Sequence, residues 1–301
     1  MSVQFQHPFN AVGGRRLAFP FQSVDKLGQR KYALTDWAKM KIVTWNINGV
    51  RARIENLLTW LKESDPDIVC LQEIKSQDEN FPRAAIEDAG YHVETHGQKG
   101  FNGVALLSKI KPDEINRGLP GDDGDEQARF IEGIYSVENG VVRVCSLYLP
   151  NGNPPDDPVK YPYKLNWMER LRSFAEERLT LEEPLILAGD YNVIPEPHDC
   201  HDPAVWAGDA LFLPKTRHSF RRLENLGLTD ALRASSDAVP VYTFWDYQAG
   251  AWQKNNGIRI DHLMLSPEAA DRLQSVAVEK HVRAWEKPSD HVPVAGYFNF
   301  G

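Results

Sequence analysis

Leu187-Ala-Gly-Asp-Tyr-Asn-Val193 ends the apolar run Pro184-Leu-Ile-Leu-Ala-Gly189 by presenting two polar side chains, Asp190 and Asn192. A short, unbroken apolar run bounded by polar residues reads as a buried strand. In an extended chain, alternation sends Asp190 and Asn192 to the same side. Other segments repeat the pattern. Lys41-Ile-Val-Thr-Trp-Asn46 is a strand that ends on Asn46, and Asp67-Ile-Val-Cys-Leu-Gln72 is a buried strand that runs into Glu73.

Working outward, helical periodicity is expected at about 51–64, 82–89, 163–178 and 215–226. Strands are expected at 102–108, 128–137 and 141–149, with Glu138-Asn-Gly140 as a hairpin turn, and three more follow toward the C-terminus. Two groups of strands separated by helices predict two facing sheets with helices outside. The expected domain spans residues 40–301. Residues 1–39 have no clear periodicity and contain Gly13-Gly14, so they are expected to form a flexible extension, with Met40 also a plausible initiator.

Composition excludes several classes. A content of 42% hydrophobic and 25% charged residues is globular, and no apolar run reaches the length of a membrane helix. Three cysteines cannot all pair within the chain, and Cys70 and Cys145 sit in strand-like runs, which predicts reduced thiols and a cytoplasmic protein. No compact apolar segment with a cleavage site opens the chain. The net charge is −8, and the six basic and two acidic side chains of residues 1–39 leave −12 on the rest. Such a body adheres poorly to nucleic acid without metal, although a carboxylate-rich metal site itself contributes negative charge.

The polar strand ends carry the chemistry. A carboxylate and an amide such as Asp190 and Asn192 activate and hold water or coordinate a metal. Glu73 suits an oxygen-preferring divalent ion, and Asn46 adds a neutral oxygen. Asp261 lies at a strand in Arg259-Ile-Asp261, and Asp290-His291 precedes the last strand, an arrangement that fixes a histidine tautomer and keeps the ring cationic against phosphate. Tyr148 ends another strand and brings a hydroxyl able to hydrogen-bond phosphate, and Phe244 or Trp245 offers a pocket wall or a stacking surface. Taken singly, each of these residues reads better as turn chemistry or core packing than as part of a site. The cluster Pro197-His-Asp-Cys-His-Asp202 matches no closed zinc template and is expected to be a polar loop.

In order along the chain, Trp45-Asn-Ile-Asn-Gly-Val-Arg51, Leu71-Gln-Glu-Ile-Lys75, His96-Gly-Gln-Lys-Gly100, Gly103-Val-Ala-Leu-Leu107, Tyr148-Leu-Pro-Asn-Gly152, Gly189-Asp-Tyr-Asn192, Phe244-Trp-Asp-Tyr247, Arg259-Ile-Asp261 and Pro288-Ser-Asp-His291 resemble the exonuclease III family of abasic-site endonucleases, within the endonuclease/exonuclease/phosphatase superfamily. The resemblance implies a four-layer α/β/β/α sandwich, two packed mixed β-sheets flanked by helices. It implies a Mg²⁺ enzyme, with Mn²⁺ as substitute, that hydrolyses the DNA phosphodiester 5′ to an abasic site and has 3′→5′ exonuclease and 3′-phosphatase activity on duplex DNA.

By the same resemblance Asn46, Glu73, Asp190, Asn192, Asp290 and His291 surround the metal. Asp190 activates water, Asn192 orients it, and Tyr148 with the Asp261–His291 pair contacts the scissile phosphate. Arg51, Lys99, Asn151, Phe244, Trp245 and Arg259 face DNA. The expected partner is double-stranded DNA with abasic sites or 3′-blocked ends, bound by a monomer and without membrane association. Other phosphodiesterases or phosphatases of the superfamily are the alternatives, as is a catalytically silent DNA-binding protein.

Overall fold

The computed structural model describes residues 39–301, so the expected N-terminal extension lies outside the described residues apart from Lys39, which already belongs to the first strand. Strands β1 (Lys39–Asn46), β2 (Ile68–Gln72), β3 (His92–His96) and β4 (Val104–Ser108) begin one sheet. The chain then builds the second sheet from β5 (Glu114–Arg117), β6 (Phe130–Val137), β7 (Gly140–Tyr148), β8 (Leu185–Asp190), β9 (Thr229–Asp230) and β10 (Asp261–Leu265). It returns to the first with β11 (Leu273–Val278) and β12 (Val294–Asn299). The orders are β11-β12-β1-β2-β4-β3 and β5-β6-β7-β8-β10-β9. Each sheet has one parallel pair at its centre, β1–β2 and β7–β8, with antiparallel neighbours.

Side-chain alternation builds the layers. Ile42, Ile68 and Cys70 point from the first sheet, and Val144, Ile186 and Ala188 from the second, into one shared core. Their neighbours Val43, Val69 and Leu71 point the other way, onto α1 (Ile54–Ser64) and α2 (Arg83–Asp88) through Leu57, Trp60 and Ile86. Cys145, Leu185 and Leu187 pack on the far side against α3 (Lys160–Leu179) through Trp167, Leu171 and Phe174. Beyond a single turn α4 (Pro203–Trp206), α5 (Pro214–Glu224) adds Phe220 and Leu223 to that outer core. The result is the four-layer α/β/β/α sandwich expected from sequence. All three cysteines are buried and free. Among the described residues no helix is long and apolar enough to cross a membrane.

Near one end of the sandwich the inter-sheet core turns polar. Thr44 Oγ1 donates to Gln72 Oε1 (3.2 Å), Gln72 Nε2 to Ser146 Oγ (3.0 Å), and Ser146 Oγ to the Leu71 carbonyl (2.9 Å). Every member is buried and satisfied, so the two sheets are tied in one register beneath the polar strand ends.

Two residues expected at the DNA face are structural instead. Trp245 is fully buried, donates from Nε1 to Asn255 Oδ1 (3.2 Å) and packs edge-on against Tyr242 and Trp252. Arg259 is 1% exposed and grips Asp199 with two bonds (Nε–Oδ1 2.7 Å, Nη2–Oδ2 3.0 Å), while Nη1 reaches Asp230 Oδ2 at 2.6 Å. Neither side chain is free to meet a nucleotide. The Pro197-to-Asp202 cluster is the polar loop expected, with Asp199 serving as the anchor for Arg259 and Arg233.

This network predicts a stability phenotype. Burial favours a neutral Asp199 carboxyl, but Arg259 and Arg233 outweigh it and hold the pKa at about 2. Burial, reinforced by Arg259, lowers His262 to about 4. The unfolded chain takes up both protons at higher pH, about 6.5 for histidine and about 3.9 for aspartate. Stability therefore falls as pH drops below about 6.5 and is lost further as pH falls through the Asp199 value toward pH 2. Arg259→Met leaves buried Asp230 without its guanidinium and Asp199 with Arg233 alone, and is expected to cost about 3–5 kcal/mol in urea melts. DNA affinity of the folded fraction should stay at the wild-type value; a selective loss of affinity at unchanged stability would restore Arg259 to the DNA surface.

Candidate active site

Strand register brings the polar ends to one level. Asp190, the last residue of β8, is opposite Tyr148 at the end of parallel β7 and opposite Asp261 at the start of antiparallel β10. In the other sheet Asn46 at the end of β1 pairs with Gln72, which sets Glu73 one residue beyond the ladder, and His291 lies just before β12. Because the sheets face each other, the two sets meet. Asn46 Nδ2 donates to Glu73 Oε1 and to Asp190 Oδ2, both at 2.9 Å, joining the sheets at the mouth of the sandwich.

The loops that leave these strands turn sharply. Asn48, Glu73, Lys75 and Asn192 all hold left-handed φ near +50°, a conformation uncommon for residues other than glycine and concentrated at functional sites. Asp190 and Asn192 do converge, but not through extended alternation. Asp190 Oδ1 accepts the Asn192 backbone N–H at 2.9 Å in a tight side-chain turn, and Asn192 Nδ2 donates to the Leu149 carbonyl at 2.9 Å. Asn151 Nδ2 donates to Asn192 Oδ1 at 3.1 Å.

His291 and Asp261 form a buried pair, Nδ1 to Oδ2 at 2.9 Å, and Thr243 Oγ1 donates to the same oxygen at 2.6 Å. With Nδ1–H assigned to Asp261, Nε2 faces Asp190 Oδ2 at 3.7 Å. Burial disfavours the imidazolium, yet Asp261, Asp190 and Asp290 together raise its pKa. For Asp190, burial raises the carboxyl above its usual range and Asp261 adds to this, while His291 and the Asn46 bond oppose it. Glu73 differs: burial works against ionisation, but Lys75 and Asn46 overcome it and the pKa falls. The Tyr148 phenol is pushed up by burial and by the facing Glu73 and Asp190 carboxylates. The Phe244 ring stands edge-on to His291 at 4.9 Å, walling the pair on one side.

Ligand atoms of Glu73, Asp190 and His291 lie within 4.8 Å of one another. The Glu73 and Asp190 carboxylates supply the oxygens that a hard divalent cation takes, with positions left for water and phosphate, while Asn46 turns its Nδ2 to both and its Oδ1 accepts the Asn48 N–H at 3.0 Å. The residues therefore fit such an ion. Asp290 stands one step back: its Oδ1 accepts from Asn48 Nδ2 at 3.0 Å, and Asn48 Oδ1 in turn accepts from Lys75 Nζ at 2.6 Å. Lys75 Nζ also pairs with Glu73 Oε2 at 2.8 Å.

Arg51 and Lys99 are exposed. Arg51 lies in the turn after β1, and Lys99 in the β3–β4 connection at the same end of the sheet as Glu73. Sequence reasoning assigned no role to Thr243, Asn48 or Ser289, whose Oγ donates to the Asn46 carbonyl at 2.7 Å. Ser289 and Asn48 fall inside the quoted motifs, but a hydroxyl or amide in a turn carries no mark of its partner.

Comparison with known proteins agrees with this geometry. Residues 43–291 match the endonuclease/exonuclease/phosphatase family. The chain is 37% identical over 266 residues to exodeoxyribonuclease III of Haemophilus influenzae, covering 86% of this chain and all of that one. Among solved structures, the 3′ phosphatase NExo from Neisseria bound to product DNA hairpin superposes with a TM-score of 0.82 at 38% identity, covering 87% of this chain and 100% of that one. An AP endonuclease from Archaeoglobus fulgidus gives 0.81 at 36% identity, covering 86% and 99%.

Proposed function

We propose, from the premise that this chain belongs to the endonuclease/exonuclease/phosphatase family, a specific chemistry for what is a DNA-repair nuclease of the exodeoxyribonuclease III and AP endonuclease type. The enzyme hydrolyses the phosphodiester immediately 5′ to an abasic site in duplex DNA, and also removes 3′-terminal nucleotides and 3′-phosphates. It acts as a monomer in the cytoplasm, through a catalytic domain spanning residues 40–301. The observation that carries this reading is the meeting of Asn46, Glu73 and Asp190 beside the Asp261–His291 pair.

Asp190 takes the proton of the attacking water. Its raised pKa suits a base that must gain a proton near neutral pH. Asn192, locked to Asp190 through its backbone N–H, orients that water. On the other side, the His291 imidazolium and the Tyr148 hydroxyl bind the non-bridging oxygens of the phosphate, where negative charge builds in the transition state. Asp261 keeps His291 charged and correctly turned. Glu73 and Asp190, with Asn46, Asn192 and Asp290 around them, would hold Mg²⁺ or Mn²⁺, which supplies charge neutralisation at the phosphate when bound. Arg51 and Lys99 flank the entrance for the DNA backbone, with Asn151 and Phe244 near the sugar.

A cleavage panel with Mg²⁺ tests the reading: abasic duplex, blunt and 3′-recessed duplex, a 3′-phosphate hairpin, polyadenylate, an inositol polyphosphate and sphingomyelin. Abasic duplex should be the preferred substrate. Preference for either of the last two would replace DNA repair with another branch of the family.

A further inference from the structure

Lys164 is fully buried on the inner face of α3 and makes no ion pair within 4 Å among the described residues. Its Nζ donates to two backbone carbonyls, Asn192 at 2.6 Å and Asn151 at 3.0 Å. These carbonyls belong to separate loops, one leaving β7 and one leaving β8, which also meet through the Asn151–Asn192 side-chain bond. Room for the lysine stem is made by Gly152: a Cβ there would come within 2.7 Å of Lys164 Cδ. With φ at +87°, that backbone also disfavours any side chain. The glycine and the lysine are thus fitted to each other across the loop.

An amine in this position is expensive. Burial lowers its pKa, and Asp190 and Asp209 recover only part of the cost. A methionine would fill the same space without desolvating a charge. Packing alone does not explain a lysine here. Charged or neutral, the amine keeps at least two N–H donors, enough for both carbonyls.

We propose that Lys164 is a positioning residue for the water-activating group, acting through Asn192. The line of bonds is short. Lys164 Nζ holds the Asn192 carbonyl, and the Asn192 N–H holds Asp190 Oδ1. The same lysine fixes the Asn151 carbonyl, so the loops after β7 and β8 cannot drift apart while water attacks the phosphate. Losing the clamp lets the left-handed Asn192 relax and shifts the Asp190 carboxylate relative to the phosphate. Displacements on the order of 1 Å at a reacting centre can cost about a hundredfold in rate. The inference rests on the nuclease function proposed above.

Lys164→Met is the test, assayed on an abasic duplex at a temperature where circular dichroism shows the variant folded. The expected result is a fall in kcat of about 10- to 100-fold, with KM for the duplex within about threefold of wild type, because Lys164 touches no DNA. Lys164→Arg, which keeps the donors, should recover part of the loss. If Lys164→Met does not fold, Lys164→Gln takes its place, since its amide stops one atom short of the carbonyls, and the same fall in kcat is expected. A folded variant with wild-type kcat, or with only KM changed, overturns the positioning role and leaves the nuclease reading intact. A wild-type protein inert toward every DNA substrate overturns both.

Discussion

Asp190→Asn is expected to lower single-turnover cleavage of an abasic duplex by about 10³-fold or more while the protein stays folded. The estimate combines two losses at one residue. A positioned general base contributes about 10²–10⁴-fold, and the same carboxylate is one of the oxygens proposed to hold the divalent ion. The fold should survive, because an asparagine fills the same volume and keeps an oxygen to accept the Asn192 N–H, giving up only the second acceptor that meets Asn46 Nδ2. Asp190 is buried with its pKa raised, so the native state already carries an unfavourable charge there. The melting temperature should therefore hold or rise. An Asp190→Asn protein with near-wild-type turnover would mean that another group takes the proton.

His291→Gln is expected to lower kcat by about 10²–10³-fold, the cost typical of removing one preorganised donor from a developing oxyanion. Asp261→Asn should produce a related defect by another route. Its effect falls on the charge of His291, whose raised pKa depends on the Asp261 carboxylate more than on its other charged neighbours. A raised histidine pKa keeps the ring cationic through neutral pH, and the cation is lost only as pH rises through that value. Asp261→Asn should therefore move the alkaline limb of the rate profile to lower pH, a shift that pH-dependent single-turnover kinetics would detect. The double variant should be little worse than His291→Gln alone, since the two residues act as one unit. Additive losses would separate them.

The central strands were legible because burial on both faces leaves an apolar run, and the site was legible because polar residues interrupt those runs at a common end. Ile68 to Leu71 and Leu185 to Ala188 illustrate the point: alternate residues feed different cores, so every position is apolar. The strands that escaped prediction, β3, β5 and β9, are all sheet edges. His92-Val-Glu-Thr-His96 and Glu114-Ile-Asn-Arg117 carry the polar and charged residues that edges require, and this erases the apolar signal.

Charge and aromaticity misled in the opposite sense. Arg259 and Trp245 have the side chains expected of a DNA contact, but Asp199 and Asp230 meet the first and Asn255 meets the second inside the protein. Those partners are up to 60 residues away in sequence, beyond any local pattern. The turn joining Asp190 to Asn192 was similarly hidden, because alternation and a side-chain turn both predict that the two converge. Lys164 was invisible for a different reason. A lysine within a helix is normally solvated, and only the tertiary fold brings the Asn151 and Asn192 carbonyls over it.

The most direct measurement maps the products from an end-labelled duplex carrying one abasic site, incubated with the purified protein and Mg²⁺. Cleavage is expected at the single phosphodiester 5′ to the lesion, leaving a 3′-hydroxyl and a 5′-deoxyribose phosphate, abolished by chelator and restored by excess Mg²⁺. Cleavage on the 3′ side of the lesion, activity indifferent to chelation, or an intact duplex would contradict metal-assisted hydrolysis by the Glu73, Asp190 and His291 cluster.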